Sequence, residues 1–399
     1  MPRSLARRLD VVKPSVTLAM NAKAAEMRAK GVDVFAFGVG EPDFDPPHYV
    51  LEAAEKAIEK GIVSKYTAVT GIPPLKEAIC KHTEDKRGWK PSPKQVTVSV
   101  GAKHALFNLA LALYEPGDEV VIPAPYWVSY PEQVKLVGAE PVFVETDAAS
   151  GFKMTPEAFE RALSKKTKAV ILCTPSNPTG SAYDEKQMRA LLDVWKKSDS
   201  WLIVDEIYGD LVYDGFKHVS AAKLAQDERV IVIDGCSKTY AMTGWRIGWS
   251  ITPPDVAKAL DTVQGQSTTN PTAVAQHAAI AALTGPQEKV EEMRSAFEKR
   301  RKHMVEGLRS IPGVTCHMPE GAFYAFADCR ALYGIPYAGR MTASDEDVAF
   351  FLLEEAHVAA VPGGAFGAPG YVRFSYATNE ARIDAGIAAI RAAVEKHRR

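Results

Sequence analysis

From residue 95 to residue 251 the chain alternates short apolar runs with amphipathic stretches. Gln95 to Val100 is apolar at every second position, as a half-buried strand is. Short runs recur at 119–123, 140–145, 168–173 and 201–204, then at Val230–Ile233 and Ile247–Ile251. The stretches between carry the helical period at about 105–113, up to 137, at 155–164 and at 184–197. Strands that alternate with helices predict a largely parallel sheet covered by helices.

The flanks read differently. Ser15 is placed to cap a helix through about Lys30, which Gly31 ends. Val34–Phe37 is a short strand, and helices follow at 47–60 and 72–88. Past Ile251, helices are expected near 253–265, 271–284 and 286–310. The charged run Glu298–Lys302 on the last of these reads as a solvated helix face. After Pro312-Gly313 the character shifts: strands near 323–327, 358–361 and 371–376, helices at 344–355 and 379–397. The fold expected is α/β, with a mostly parallel sheet flanked by helices in a large domain at 46–310. A smaller α+β domain at 311–399 is joined by the N-terminal arm, residues 1–45.

Composition narrows the class of function. Apolar residues are 46% and charged residues 24% of 399, with a net charge of −1. No global basic field exists to draw nucleic acid or anionic membrane. The longest apolar runs are too short to span a bilayer, and the basic N-terminus lacks a signal core. Five scattered cysteines form no C-x-x-C pair, and nine histidines show no ligand spacing. The expectation is a reduced, cytoplasmic, metal-free protein.

The unusual residues sit at strand ends, where open α/β sheets hold ligands. After Val230–Ile233 comes Asp234-Gly235-Cys236-Ser237-Lys238, and Arg246 follows before the next strand. Lys238 there is suited to a Schiff base with an aldehyde cofactor, or is a solvated loop lysine. Ser237 and Arg246 suit a phosphate. Gly101-Ala102-Lys103, between a strand and a helix, makes a weak phosphate seat. Asp205 ends Trp201–Val204 and needs a cation, either a pyridine nitrogen or a structural arginine. Arg373, inside the apolar strand Tyr371–Tyr376, needs an anion, either a ligand or a buried Asp or Glu. Trp127 offers a flat apolar ring, though core packing is the usual fate of tryptophan; Asn177 could donate to a ring oxygen or equally serve its turn; the loop Gly38–Phe44 with Gly40 reads first as an ordinary turn. Tyr66 has no local signal. No G-x-G-x-x-G marks a dinucleotide site.

Six runs in order carry a resemblance. They are Gly40-Glu41-Pro42-Asp43-Phe44, Pro125–Tyr130, Ser176-Asn177-Pro178-Thr179-Gly180, Asp205-Glu206-Ile207-Tyr208, Ser237-Lys238 with Thr243–Gly248, and Arg373. Together they resemble the fold-type I pyridoxal-phosphate aminotransferases, in the bacterial aspartate aminotransferase branch. The resemblance implies that Lys238 holds pyridoxal 5′-phosphate and moves the substrate proton. It implies that Asp205 pairs with the ring nitrogen and that Asn177 and Tyr208 bond the ring oxygen. Trp127 would stack on the ring, and Ser237, Arg246 and the amides of Gly101, Ala102 and Lys103 would hold the phosphate. Tyr66 would reach the partner's phosphate in a homodimer with shared active sites.

For substrate, the resemblance implies Arg373 on the α-carboxylate, with Gly40, Trp127 and Asn177 beside it. Lys103 would anchor the distal carboxylate of aspartate and 2-oxoglutarate in a ping-pong cycle. Here the triplet is Gly-Ala-Lys where Gly-Gly-Lys is usual, one methyl group more at the phosphate turn. Lys13 fits the arm position that accompanies prephenate amination. The alternatives are an aminotransferase for aromatic or neutral amino acids, a β-lyase, or a non-catalytic regulator module. A regulator is disfavoured by Lys238 and Arg373 and by the lack of a helix-turn-helix extension.

Overall fold

A computed structural model describes residues 5–12 and 16–398. Ser15 and Lys13 lie outside the described residues; the first long helix runs Val16–Ala29. Seven strands form the central sheet: β1 Val96–Val100, β2 Glu119–Ala124, β3 Glu140–Glu145, β4 Thr167–Cys173, β5 Trp201–Asp205, β6 Val230–Gly235 and β7 Ile247–Ile251. Their order is β1-β7-β6-β5-β4-β2-β3.

β2 to β6 pair in parallel. β7 is antiparallel to both its neighbours. The link Cys236–Arg246 is too short to carry a crossover helix, so the chain turns straight back beside β6. Two reversals leave β1 pointing the same way as β6. The carboxyl ends of β1, β5 and β6 therefore lie together.

Alternate residues feed two cores. Ile122, Ile171, Ile203 and Ile233 pack on Leu106 and Leu109 of the helix Ala102–Leu113. Val121, Val170, Leu172 and Val204 meet Met188, Leu192 and Trp195 on the other face. Each such burial stabilises by roughly 1.5–3 kcal/mol. A carboxylate at the end of one of these strands, Asp205, is thus a costly exception, only 4% exposed.

Past residue 310 a four-stranded antiparallel sheet has the order Val361–Pro362, Tyr371–Ser375, Tyr324–Asp328, Thr315–Cys316. The helix Glu288–Arg309 lays Phe297, Met304 and Leu308 against it. Its charged run is not wholly solvated. Arg301 is 1% exposed, donates to the Pro319 carbonyl at 2.8 Å and pairs with Asp214. Phe35 and Ala36 pair in parallel with Val358 and Ala359, so the loop from Gly38 to Phe44 comes to the rim of the large sheet. No helix among the described residues is long and apolar enough to cross a membrane.

Candidate active site

A cavity of about 620 Å³ opens where β1, β5 and β6 end, under the loop Val39–Glu41 and beside the strand Tyr371–Ser375. The predicted loop around Lys238 is a short helix, Cys236–Thr239. It turns Lys238 into the cavity, where Nζ donates to the Gly40 carbonyl at 2.5 Å. Burial lowers the amine to about pH 8, with Glu41 acting in the opposite sense. It is thus poised as a nucleophile and base near neutral pH.

Asp205 reaches the same cavity from β5. Tyr130 Oη donates to its Oδ2 at 2.8 Å and the Ile207 amide to its Oδ1 at 3.2 Å. Burial raises this carboxyl to about 6, against those two bonds. No described lysine, arginine or histidine pairs with it, so the structural-arginine alternative does not hold. Arg373 mirrors it: a guanidinium 3% exposed with no described carboxylate partner. Nη1 donates to Asn177 Oδ1 at 2.8 Å and Nη2 to the Gly38 carbonyl at 2.9 Å. The Tyr324 and Phe366 rings flank it at 4.5 and 5.0 Å, and its Nε has no partner. Burial lowers its pKa. The buried Asp or Glu that sequence reasoning allowed for Arg373 is absent among the described residues.

At the other end, the helix predicted from residue 105 begins at Ala102, directly after Gly101 at φ 84°. A Cβ on Gly101 would lie 2.7 Å from Arg246 Nη2, so glycine there lets the guanidinium lie against the helix start. Arg246 also donates to the Thr243 carbonyl at 2.9 Å. First-turn amides of a helix have no intrahelical acceptor, so this end attracts an anion. Ser237 and Lys103 line the cavity too, with Lys103 Nζ 5.0 Å above the Trp127 ring. Partial burial lowers the Lys103 amine, and Arg246 adds to the effect.

A family profile described as aminotransferase class I and II matches residues 32–390. The chain belongs to that family. The aminotransferase is 50% identical to an aspartate aminotransferase of Geobacillus stearothermophilus, over 94% of this chain and 95% of that one. It is 46% identical to an aspartate/prephenate aminotransferase of Cereibacter sphaeroides, with 96% of each covered. A crystal structure of the aspartate aminotransferase of Rhizobium meliloti superposes with TM-score 0.94 at 42% identity, covering 98% of this chain and 99% of that one.

The aminotransferase works with pyridoxal 5′-phosphate, and the cavity suits that group on three counts. An amine depressed to about 8 faces it, a buried carboxylate has no ion-pair partner among the described residues, and an arginine meets a helix start. Of the predicted residues, Gly40, Ala102, Lys103, Trp127, Asn177, Asp205, Tyr208, Ser237, Lys238, Arg246 and Arg373 line one cavity, with Gly101 behind Arg246. Tyr66 does not: it stands on the surface, 87% exposed.

Sequence reasoning assigned no role to Tyr130, Tyr324 or Glu41. Tyr324 Oη lies 2.9 Å from Tyr208 Oη, and Glu41 accepts from Thr243 Oγ1 at 2.9 Å across the mouth. Tyr130 and Glu41 fall in runs already singled out. Tyr324 gave no signal, because its strand is remote in sequence.

Proposed function

We propose that the enzyme is an aspartate aminotransferase, passing the amino group of L-aspartate to 2-oxoglutarate in two half-reactions. The observation that carries this reading is a pair of cations in one cavity, Arg373 without a carboxylate partner and Lys103 at the mouth. Two carboxylates of one substrate would satisfy both. The names of the relatives point the same way.

The bound cofactor supplies an aldehyde that takes up the amino group and a ring that withdraws electrons when Cα loses its proton. The rest falls to the chain. Arg373 grips the α-carboxylate and Lys103 the distal one. Lys238 Nζ would take the Cα proton and, as a single general base, pass it to the carbon that was the cofactor's aldehyde. Asp205, held by Tyr130, keeps a negative charge at the ring nitrogen. Asn177 and Tyr208 bond the ring oxygen, and Trp127 covers the ring. Ser237, Arg246 and the amides from Gly101 to Lys103 hold the phosphate.

We further place Tyr66 at the phosphate of a partner subunit in a cytoplasmic homodimer. Its exposure in the single chain is consistent with that role. The division at 46–310 and 311–399 is proposed as the hinge frame, with Glu41 and Thr243 meeting on closure.

The test is a substrate panel of aspartate, phenylalanine, alanine and a prephenate acceptor, scored for oxo acid against pyruvate plus ammonia. Lys103→Met should lower kcat/KM for aspartate by about tenfold to a hundredfold, the value of one charge-assisted bond. Alanine should be spared. Equal losses for both would remove Lys103 from the distal site, and ammonia released together with pyruvate would mean a lyase. In the same panel, Lys13→Ala should lower only prephenate amination.

Asp205 sets a pH dependence. In the cofactor-free chain its raised pKa stabilises the fold at low pH, and that stability is lost as pH rises through about 6. Cofactor retention runs the opposite way, because a neutral acid cannot hold a protonated ring nitrogen. Equilibrium dialysis from pH 8 to 5 should show retention falling by up to about tenfold per unit below 6. Asp205→Asn should flatten that part of the slope; an unchanged slope would dismiss the ion pair.

A further inference from the structure

Behind the cavity, on the opposite face of β5 and β6, lies a buried charge cluster with no place in the chemistry above. Strand alternation builds it. Asp205 faces the cavity, so Glu206 turns the other way and is 0% exposed. Asp234, near the end of β6, points to the same side, and Asp210 joins from the turn after Tyr208. All three carboxylates converge on Arg87, the last residue of the helix Pro73–Arg87. Nη1 donates to Asp210 Oδ1 at 2.8 Å, and Nη2 lies 3.2 Å from both Asp210 Oδ2 and Asp234 Oδ2. Nε is 3.5 Å from Glu206 Oε2. Two histidines face the same acids: His82 Nε2 at 3.8 Å from Asp210 and His218 Nε2 at 3.2 Å from Glu206.

These acids are not scattered. Asp234 Oδ1 accepts from the Gly235 amide at 2.7 Å, just before the Lys238 helix. Asp210 Oδ2 is within 3.4 Å of Thr239 Oγ1, just after Lys238. Glu206 is bonded in sequence to Asp205. One guanidinium thus bonds the acids at both ends of the lysine segment and lies in ion-pair range, without a hydrogen bond, of Glu206, the neighbour of the ring-nitrogen carboxylate. Gly209 leaves it no slack: a Cβ there would lie 2.8 Å from Arg87 Nη2. A buried ion cluster is weak evidence of stabilisation, since apolar packing often does as well. Geometry is what a planar fork with fixed donors supplies.

We propose that Arg87 is a positioning residue, which fixes Lys238 relative to Asp205 from the far side of the sheet. The proposal rests on the roles given to those two residues above. Displacements of about 1 Å remote from the reacting atoms cost on the order of a hundredfold in rate.

The test uses the holoenzyme. Borohydride reduction of the wild type should fix the cofactor on Lys238; a label elsewhere overturns this proposal and the functional reading together. With that label in place, Arg87→Lys keeps the charge and loses the fork. Its single-turnover rate with aspartate should fall by about tenfold to a hundredfold, with less than about threefold change in the aspartate dissociation constant. The pH midpoint of the bound cofactor's absorbance should shift as well. Gly209→Ala crowds the guanidinium without removing any charge, and it should move the same two readouts. Combined with Arg87→Lys its effect should be less than additive, since both act through one group. A wild-type rate and absorbance midpoint in Arg87→Lys, or full additivity in the double variant, would leave the functional reading intact and overturn this one. If Arg87→Lys does not fold, unchanged readouts in Gly209→Ala decide against it.

Discussion

Lys238→Ala is expected to lower aspartate turnover by on the order of 10⁴-fold or more, the upper end of what one positioned general base contributes. The variant loses two functions at once. Among the described residues two lysines line the cavity, and Lys238 is the one held on the Gly40 carbonyl and lowered to about 8 by burial. At neutral pH a fraction of it is uncharged, so it can attack an aldehyde and take a proton from carbon. Lys103, the other cavity amine, sits over Trp127 at the mouth and is not placed to substitute. The end proposed to hold the phosphate consists of Arg246, Ser237 and a helix start, none of which the substitution replaces. The variant should therefore still bind pyridoxal phosphate, though borohydride should no longer fix it to the chain. Single-turnover kinetics and mass spectrometry of the reduced protein check both points. Multiple turnovers at a rate within about a hundredfold of the wild type would assign the proton transfer to another group.

The parts of this site that could be read from the sequence are those where the chemistry is local. Lys238, Ser237 and Arg246 lie on one link between two strands, and Asp205 directly ends an apolar run. The strand positions followed from alternation, and Ile247–Ile251 falls where the apolar pattern put it. The reversal of β7 was not read, because direction depends on link length and not on the strand's own pattern. The helix start at Ala102 was missed by three residues, since polar Lys103 and His104 hide the apolar period of its first turn.

Contacts that join remote segments left no trace. Arg87 is 123 residues from Asp210 and 147 from Asp234. Each of these is, by itself, an ordinary charged residue near a helix or strand end. Tyr324 and Tyr130 are aromatic residues among many until the fold sets them against Tyr208 and Asp205. Arg301 is the converse case: a charge within a run of charges, buried because one turn of its helix faces Tyr213.

Arg373→Met should lower kcat/KM by about 10²- to 10⁴-fold for every amino acid, whatever its side chain. Two parallel charge-assisted bonds to a carboxylate contribute roughly 1.5–3 kcal/mol each, and 1.4 kcal/mol is a factor of ten. This separates Arg373 from Lys103, whose loss should discriminate between one- and two-carboxylate substrates. The cost should fall on binding and not on the fold. In the ligand-free chain the guanidinium already bears its burial without a carboxylate, so an apolar side chain of similar length relieves that penalty. What the fold loses is the two bonds to Asn177 and Gly38, about 1 kcal/mol each. The melting temperature of the cofactor-loaded variant without substrate should therefore move little. The stabilisation that a non-reactive dicarboxylate gives the wild type, about 2.7 kcal/mol at a hundred times its dissociation constant, should disappear. A variant that melts far below the wild type yet keeps its response to the dicarboxylate would make Arg373 a structural residue. Unequal losses across the amino acids would mean that it reads the side chain and not the group they share.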